Sequence, residues 1–151
     1  MKFFCEYKDS NILFSNKHQN KHLLDSWSFI HANHSFILFI LLNIYFSKEN
    51  SAIIGLIIGI VFEFVENSDP VIDLMRKKGY PTYKGDTVIN IIGDIISDII
   101  GLYIGYKISF IEESKRMFYW IMVFVILELI PYNISKETVI KCWLNLFKYK
   151  A

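Results

Sequence analysis

Residues 85–106 read GDTVINIIGDIISDIIGLYIGY. The stretch has the length of a helix that spans a bilayer, roughly 20 residues. Asp86, Asn90, Asp94 and Asp98 recur within it at every fourth position. A step of four turns about 400° around a helix, so these side chains form one slowly drifting polar ridge. Beside it run Gly93, Ser97, Gly101 and Gly105, a small-residue ridge of the kind that lets helices meet backbone to backbone in a membrane. A helix that is apolar on two sides, smooth on a third and acidic on a fourth belongs at the centre of an all-α membrane bundle.

The rest of the chain fits that frame. Its 151 residues allow one domain. They are 53% hydrophobic, with a mean hydropathy of +0.33, above the usage of about 45–50% in soluble domains. A net charge of +1 leaves no broad basic face for nucleic acid. Cys5 and Cys142 stand at opposite ends with no metal or redox spacing. Residues 1–26 are polar and carry no apolar stretch of the signal-peptide kind, so the first hydrophobic segment is expected to act as an uncleaved anchor. The order expected is a polar N-terminal region over 1–26, a helical bundle over 27–134 and an amphipathic C-terminal segment over 135–151. Within the bundle, spans are expected over 27–46, 52–67, 86–106 and 117–130, the last ended by Pro131. Residues 47–51 read as a turn, 68–84 as a loop, and Asp86 as an N-cap ahead of a ligand.

Four spans place both termini on one side, with Lys17, Lys21, Arg76, Lys77, Lys78, Lys84, Lys136 and Lys141. The other side holds Lys48, Lys107, Lys115 and Arg116. This bias predicts a multi-pass protein with both termini in the cytoplasm.

The same threading brings the polar residues to one depth. His31 and His34 open the first helix, and Glu63, Glu66 and Asn67 close the second. Asp86, Asn90 and Asp94 open the third, and Glu128 lies near the end of the fourth. Asp98 falls nearer mid-membrane. Spacings of three and four put His31, His34 and Ser35 on one face, and Glu63, Glu66 and Asn67 likewise. Gly55 and Gly59 continue the Glu63 stripe, and the glycine ridge of the third helix is their natural partner. Ionised carboxylates in a hydrocarbon interior need partners; each costs about 2.5–3.5 kcal/mol on insertion scales. Protonation, pairing with histidine or a bound cation would each answer the need. One divalent ion held by His31, His34, Glu66 and Asp94 answers it for the set. A mixed histidine and carboxylate shell suits zinc, manganese or iron, and carboxylates alone suit magnesium. Glu63, Glu66, Asp94 and Asp86 are the acid–base candidates, with Asn67, Asn90, Asp98 and Glu128 completing the cluster. Lipid headgroups lie at that depth, so a lipid-linked substrate is expected.

Each residue also has a structural reading. Polar groups within bundles often join helices, Glu128 can snorkel to the interface, and His18 and His22 read as surface residues. The blocks HLLDSWSFIHANHSFILF, EFVENSDPVID and YKGDTVINIIGDIISDIIG resemble a family of small bacterial integral membrane proteins catalogued as a domain of unknown function. Its motifs run D-x-Y-[ST]-F-x-H-x-x-H-G, W-E-x-x-E-N-[ST]-x-x-[IV] and G-D-[ST]-x-x-N-x-x-x-D. They are matched by Asp25, Phe29, His31, His34, Glu63, Glu66, Asn67, Ser68, Gly85, Asp86, Thr87, Asn90, Asp94 and Gly101. Ser35 stands in place of the family's glycine and Phe62 in place of its tryptophan. The resemblance covers roughly residues 20–143 and implies several membrane spans, with no established activity. More loosely, the order of motifs is similar to VanZ-like membrane proteins. Three functions follow as expectations: a metal-dependent hydrolase or transferase on a lipid, a transport or proton-relay component with Asp94 and Asp98 on its path, and a non-catalytic membrane partner. No serine or cysteine nucleophile motif stands out.

Overall fold

A computed structural model of the chain describes residues 21–77, 80–135 and 140. Five helices are found among them: α1 (Ser26–Leu42), α2 (Lys48–Glu66), α3 (Asp69–Lys77), α4 (Val88–Ile108) and α5 (Glu113–Ser135). The expected amphipathic segment over 135–151, both cysteines, His18 and Lys78 lie outside the described residues or at their edge.

Local chemistry sets the helix starts. Asp25 caps α1: its Oδ1 accepts from Trp27 N at 2.8 Å and Ser28 N at 3.4 Å, while Ser28 Oγ accepts from Asp25 N at 3.1 Å. This reciprocal pair is a capping box. Ser47 caps α2 by accepting from Asn50 N, so the helix begins at Lys48 and absorbs most of the expected turn over 47–51. Thr87, not Asp86, caps α4, its hydroxyl accepting from Asn90 N. The expected loop over 68–84 contains α3, bent 73° from α2; Pro70 sits in its first turn, where a proline sacrifices no helical hydrogen bond. α5 starts at Glu113 and runs through Pro131 to Ser135 instead of stopping there. Only four residues follow the proline, so the missing donor affects just the end of the helix.

Packing departs from expectation at the glycine ridge. A Cβ at Gly93 would run into the Leu23 carbonyl, one at Gly101 into the Ala32 carbonyl, and Gly105 faces the Phe39 ring. The ridge therefore seats the backbone of α1, not α2. The paired positions ascend together, so α1 and α4 run parallel. Gly55 and Gly59 of α2 instead make room for the Leu102 and Asp98 side chains of α4; here the pairing descends, and the two helices are antiparallel. α1 shares the centre with α4 because it also packs on α2 and α5, with Phe36 and Phe39 fully buried.

The outer faces are apolar and exposed: Ile53, Ile57, Val61 and Phe64 on α2, Ile96, Ile99 and Tyr103 on α4, and Phe118, Ile121, Val125 and Leu129 on α5. α4 and α5 are each long and apolar enough to cross a membrane, and α2 with α3 adds a third candidate if the bent pair is one span. α1, at 17 residues, is shorter. Two spans are thus clear by length and composition where four were expected.

Candidate functional site

The polar residues around His31 meet where the start of α1, the end of α2 and the start of α4 come together, while Glu128 of α5 is held at another face of α1 by Asn33. His31, on the second turn of α1, lies at the centre of the cluster. Its Nδ1 is 3.2 Å from Glu63 Oε1 and 3.8 Å from Asp98 Oδ1, and its Nε2 is 4.0 Å from Glu66 Oε2. His31, Glu63 and Glu66 each offer a ligand atom, all within 4.8 Å of one another. Among the described residues this trio is the group placed to hold a metal ion. His34, one turn further along α1, and Asp94 lie outside it.

Glu63 is 1% exposed, and neither of its carboxylate oxygens has a hydrogen-bond partner. The 3.2 Å approach of His31 Nδ1 to Glu63 Oε1 becomes an ion pair when the imidazole is protonated. Unpaired buried carboxylate oxygens are costly, and such groups are rare enough to call for an explanation. The Gly55–Gly59–Glu63 stripe explains how Glu63 comes to be buried: two residues without side chains let α2 close on α4 beneath it.

The remaining acidic groups are each tied by a neighbour. Ser28 Oγ donates to Asp94 Oδ1 at 2.8 Å, and Ser35 Oγ donates to Asp98 Oδ1 at 2.6 Å. Asn33 Nδ2 donates to Glu128 Oε1 at 3.0 Å, so Glu128 is held inside the bundle and does not snorkel away. Asn90 Nδ2 donates to the His22 carbonyl at 3.0 Å, and His22, expected at the surface, is 2% exposed. The segment before α1 is thus pinned under the start of α4.

Asn67 and Asp86 form a two-way bracket between the end of α2 and the segment leading into α4. Asp86 N donates to Asn67 Oδ1 at 2.6 Å, and Asn67 Nδ2 donates to Asp86 Oδ2 at 2.8 Å and to the Glu63 carbonyl at 3.0 Å. Gly85 makes the approach with φ +81, a backbone region that favours glycine. Tyr83 OH donates to Asp86 at 3.2 Å. Burial first, and then the Asp86 carboxylate, raise the Tyr83 pKa, so the hydroxyl stays a donor. Asn67→Ala removes both halves of the bracket and is expected to lower unfolding free energy by about 2 kcal/mol, read by denaturation in detergent. An unchanged midpoint would show that the bracket does not hold the loop.

Sequence reasoning overlooked Ser28, Asn33 and Tyr83. The first carried a signal, since D-x-x-S ahead of an apolar run is a capping pattern. Asn33 sits two residues from His31 and so faces another helix. Tyr83 lies in a segment without periodicity.

Residues 5–144 match the protein family described as "Protein of unknown function (DUF2585)", and the chain belongs to that family. Neither a curated protein nor a solved structure matches it.

Proposed function

We propose that this member of the DUF2585 family is a membrane-embedded, metal-dependent enzyme, a hydrolase or transferase acting on a lipid or lipid-linked substrate at one membrane face. The observation that carries the reading is Glu63, buried with two carboxylate oxygens that accept no hydrogen bond, grouped with His31 and Glu66. Two donor atoms on one zinc-like ion, each about 2.1 Å from it, stand about 3.0–3.4 Å apart. The His31 Nδ1–Glu63 Oε1 separation of 3.2 Å falls in that range, while Glu66 Oε2, 4.0 Å from the other ring nitrogen, would have to turn to join the same ion. One imidazole and two carboxylates suit zinc, manganese or iron(II), while magnesium would need water or substrate oxygens to complete its shell. Such an ion activates a bound water and polarises a phosphoryl or acyl oxygen. His34, Asp94 and Asp86 stand by as further ligands or acid–base groups, and Asn67 and Asn90 orient them.

On this reading α1, α2 with α3, α4 and α5 form about four membrane passages, with both termini cytoplasmic by the lysine and arginine bias. The likeness to VanZ-like proteins is one of motif order and brings no chemistry. Elemental analysis of the detergent-purified protein is the test. About one metal ion per chain is expected, falling at least tenfold in a His31→Ala, His34→Ala double variant, with lipid-linked phosphates and phospholipids then screened as substrates. No metal in either protein after supply of zinc, manganese, iron and magnesium would sink the reading.

Asp98 favours a second reading, a proton relay or transport path. It sits deeper than the trio, 3.8 Å from His31 Nδ1, and receives the Ser35 hydroxyl. Liposome proton flux that is the same in the parent and in Asp98→Asn would count against it.

A further inference from the structure

We infer that the His31–Glu63–Glu66 site opens sideways, into the lipid, past Phe62, and that its ligand is a group carried on an acyl-chain lipid rather than a solute from water. The inference deepens the reading above and rests on the same trio. It stands on two observations, a segment tied across one end of the site and an apolar flank.

The 80–87 segment is fastened across the end of the site. Trp27 lies one turn before His31 and so on the same face of α1. The Tyr80 ring packs edge-on against it, with centroids 5.8 Å apart. On the other side the Asn67–Asp86 bracket fastens the same 80–87 segment to the end of α2. Tyr83 OH closes on Asp86 between them. The segment leading into α4 is therefore tied to both helices that supply the trio.

The flank is different. Ile58, Phe62 and Glu66 are four apart on α2 and form one stripe. Ile58 and Phe62 are 43% and 47% exposed, as suits side chains that face acyl chains. The Glu66 side chain, at the end of the stripe, keeps 15% exposure. Glu63 belongs to the neighbouring glycine stripe and faces inward. The trio thus straddles the line between the buried and the exposed faces of α2. Phe62 stands at that line, its ring edge-on to the His31 imidazole with centroids 6.2 Å apart. A lipid headgroup can reach the site by this flank while its chains lie along Ile58 and Phe62, whose exposed apolar surface favours them.

Carbodiimides report the route, because a carboxyl adds across the reagent and keeps it as a stable N-acylurea, heavier by one reagent mass. The full chain in phosphatidylcholine vesicles is treated, metal-stripped, with a lipid-soluble dicyclohexyl reagent or with a water-soluble cationic one, and label on Glu63 and Glu66 is read by peptide mass spectrometry. About tenfold more label from the lipid-soluble reagent is expected, since a fixed cation crosses the apolar region poorly. Phe62→Trp, at an exposed position, is expected to lower that label several-fold and leave the water-side label unchanged. Equal or greater labelling from the water-soluble reagent would overturn the inference, and so would a Phe62→Trp variant that labels like the parent. Metal content decides the other question separately: a protein that holds no metal but labels from the lipid keeps the lateral route and loses the metal. One that holds metal but labels from water does the reverse.

Discussion

Gly93→Ala is expected to destabilise the bundle by about 3 kcal/mol, at the upper end of the usual cost of overpacking. Its Cβ would run into the Leu23 carbonyl, which is backbone and cannot rotate aside. The clash can be relieved only by moving the segment before α1 away from α4. That movement also strains two bonds fixing the register of the two helices, Asn90 to the His22 carbonyl and Ser28 to Asp94. Gly101→Ala meets the Ala32 carbonyl and is expected to behave alike. Gly55→Ala supplies the control: the atom in its way is a Leu102 methyl, which a rotamer change removes, so its cost should stay below about 1 kcal/mol. Unfolding in mixed micelles, followed by circular dichroism, measures all three. Were Gly93→Ala as mild as Gly55→Ala, close backbone packing of α1 on α4 would not be what holds the bundle.

The glycine ridge also shows how far the sequence could be read. Repeats at every fourth residue mark a close approach but carry no address. Gly55 and Gly59 offered one plausible partner, yet the occupant of the ridge is α1. That preference depends on α1 having small residues, Ser28, Ala32 and Ser35, along the face that meets α4, and two of these also bond its aspartates. That His31, Glu63, Asp94 and Glu128 share one end was legible, because alternating helix direction alone brings them there; Asp98, expected nearer mid-membrane, also comes within 3.8 Å of His31 Nδ1. Their individual partners were not legible, since those follow from rotation about each helix axis. Asn33 turned towards Glu128, and Asp86 left the capping position to Thr87. α3 escaped notice because nine residues are too few for a clear period, and Pro70 in its first turn and Gly79 after its end in the sequence read as loop signals. The starts of α2 and α5 were placed late because each opens in charged residues that a hydropathy reading assigns to turns.

Glu63→Leu is expected to move stability and metal binding in opposite directions. In the metal-free protein the carboxylate is buried with neither oxygen satisfied, and replacing such a group by an apolar one of similar size is often neutral or stabilising. A gain of about 1–2 kcal/mol in unfolding free energy is expected without metal. Metal affinity is expected to fall by about 100-fold or more, because a ligand atom of the trio is gone. Metal at a hundred times the parent's dissociation constant should then stabilise the parent by about 2.7 kcal/mol and the variant by no more than about 0.4 kcal/mol. Glu128→Leu serves as the comparison. Glu128 accepts from Asn33, so its loss should destabilise the protein by about 1 kcal/mol, a typical cost for one interhelical hydrogen bond, and leave metal content intact. A polar network built only to join helices would make both substitutions destabilising. Opposite signs at Glu63 alone identify a carboxylate kept at a cost in stability for the sake of what it binds, the pattern expected where a local rule is broken at a functional site.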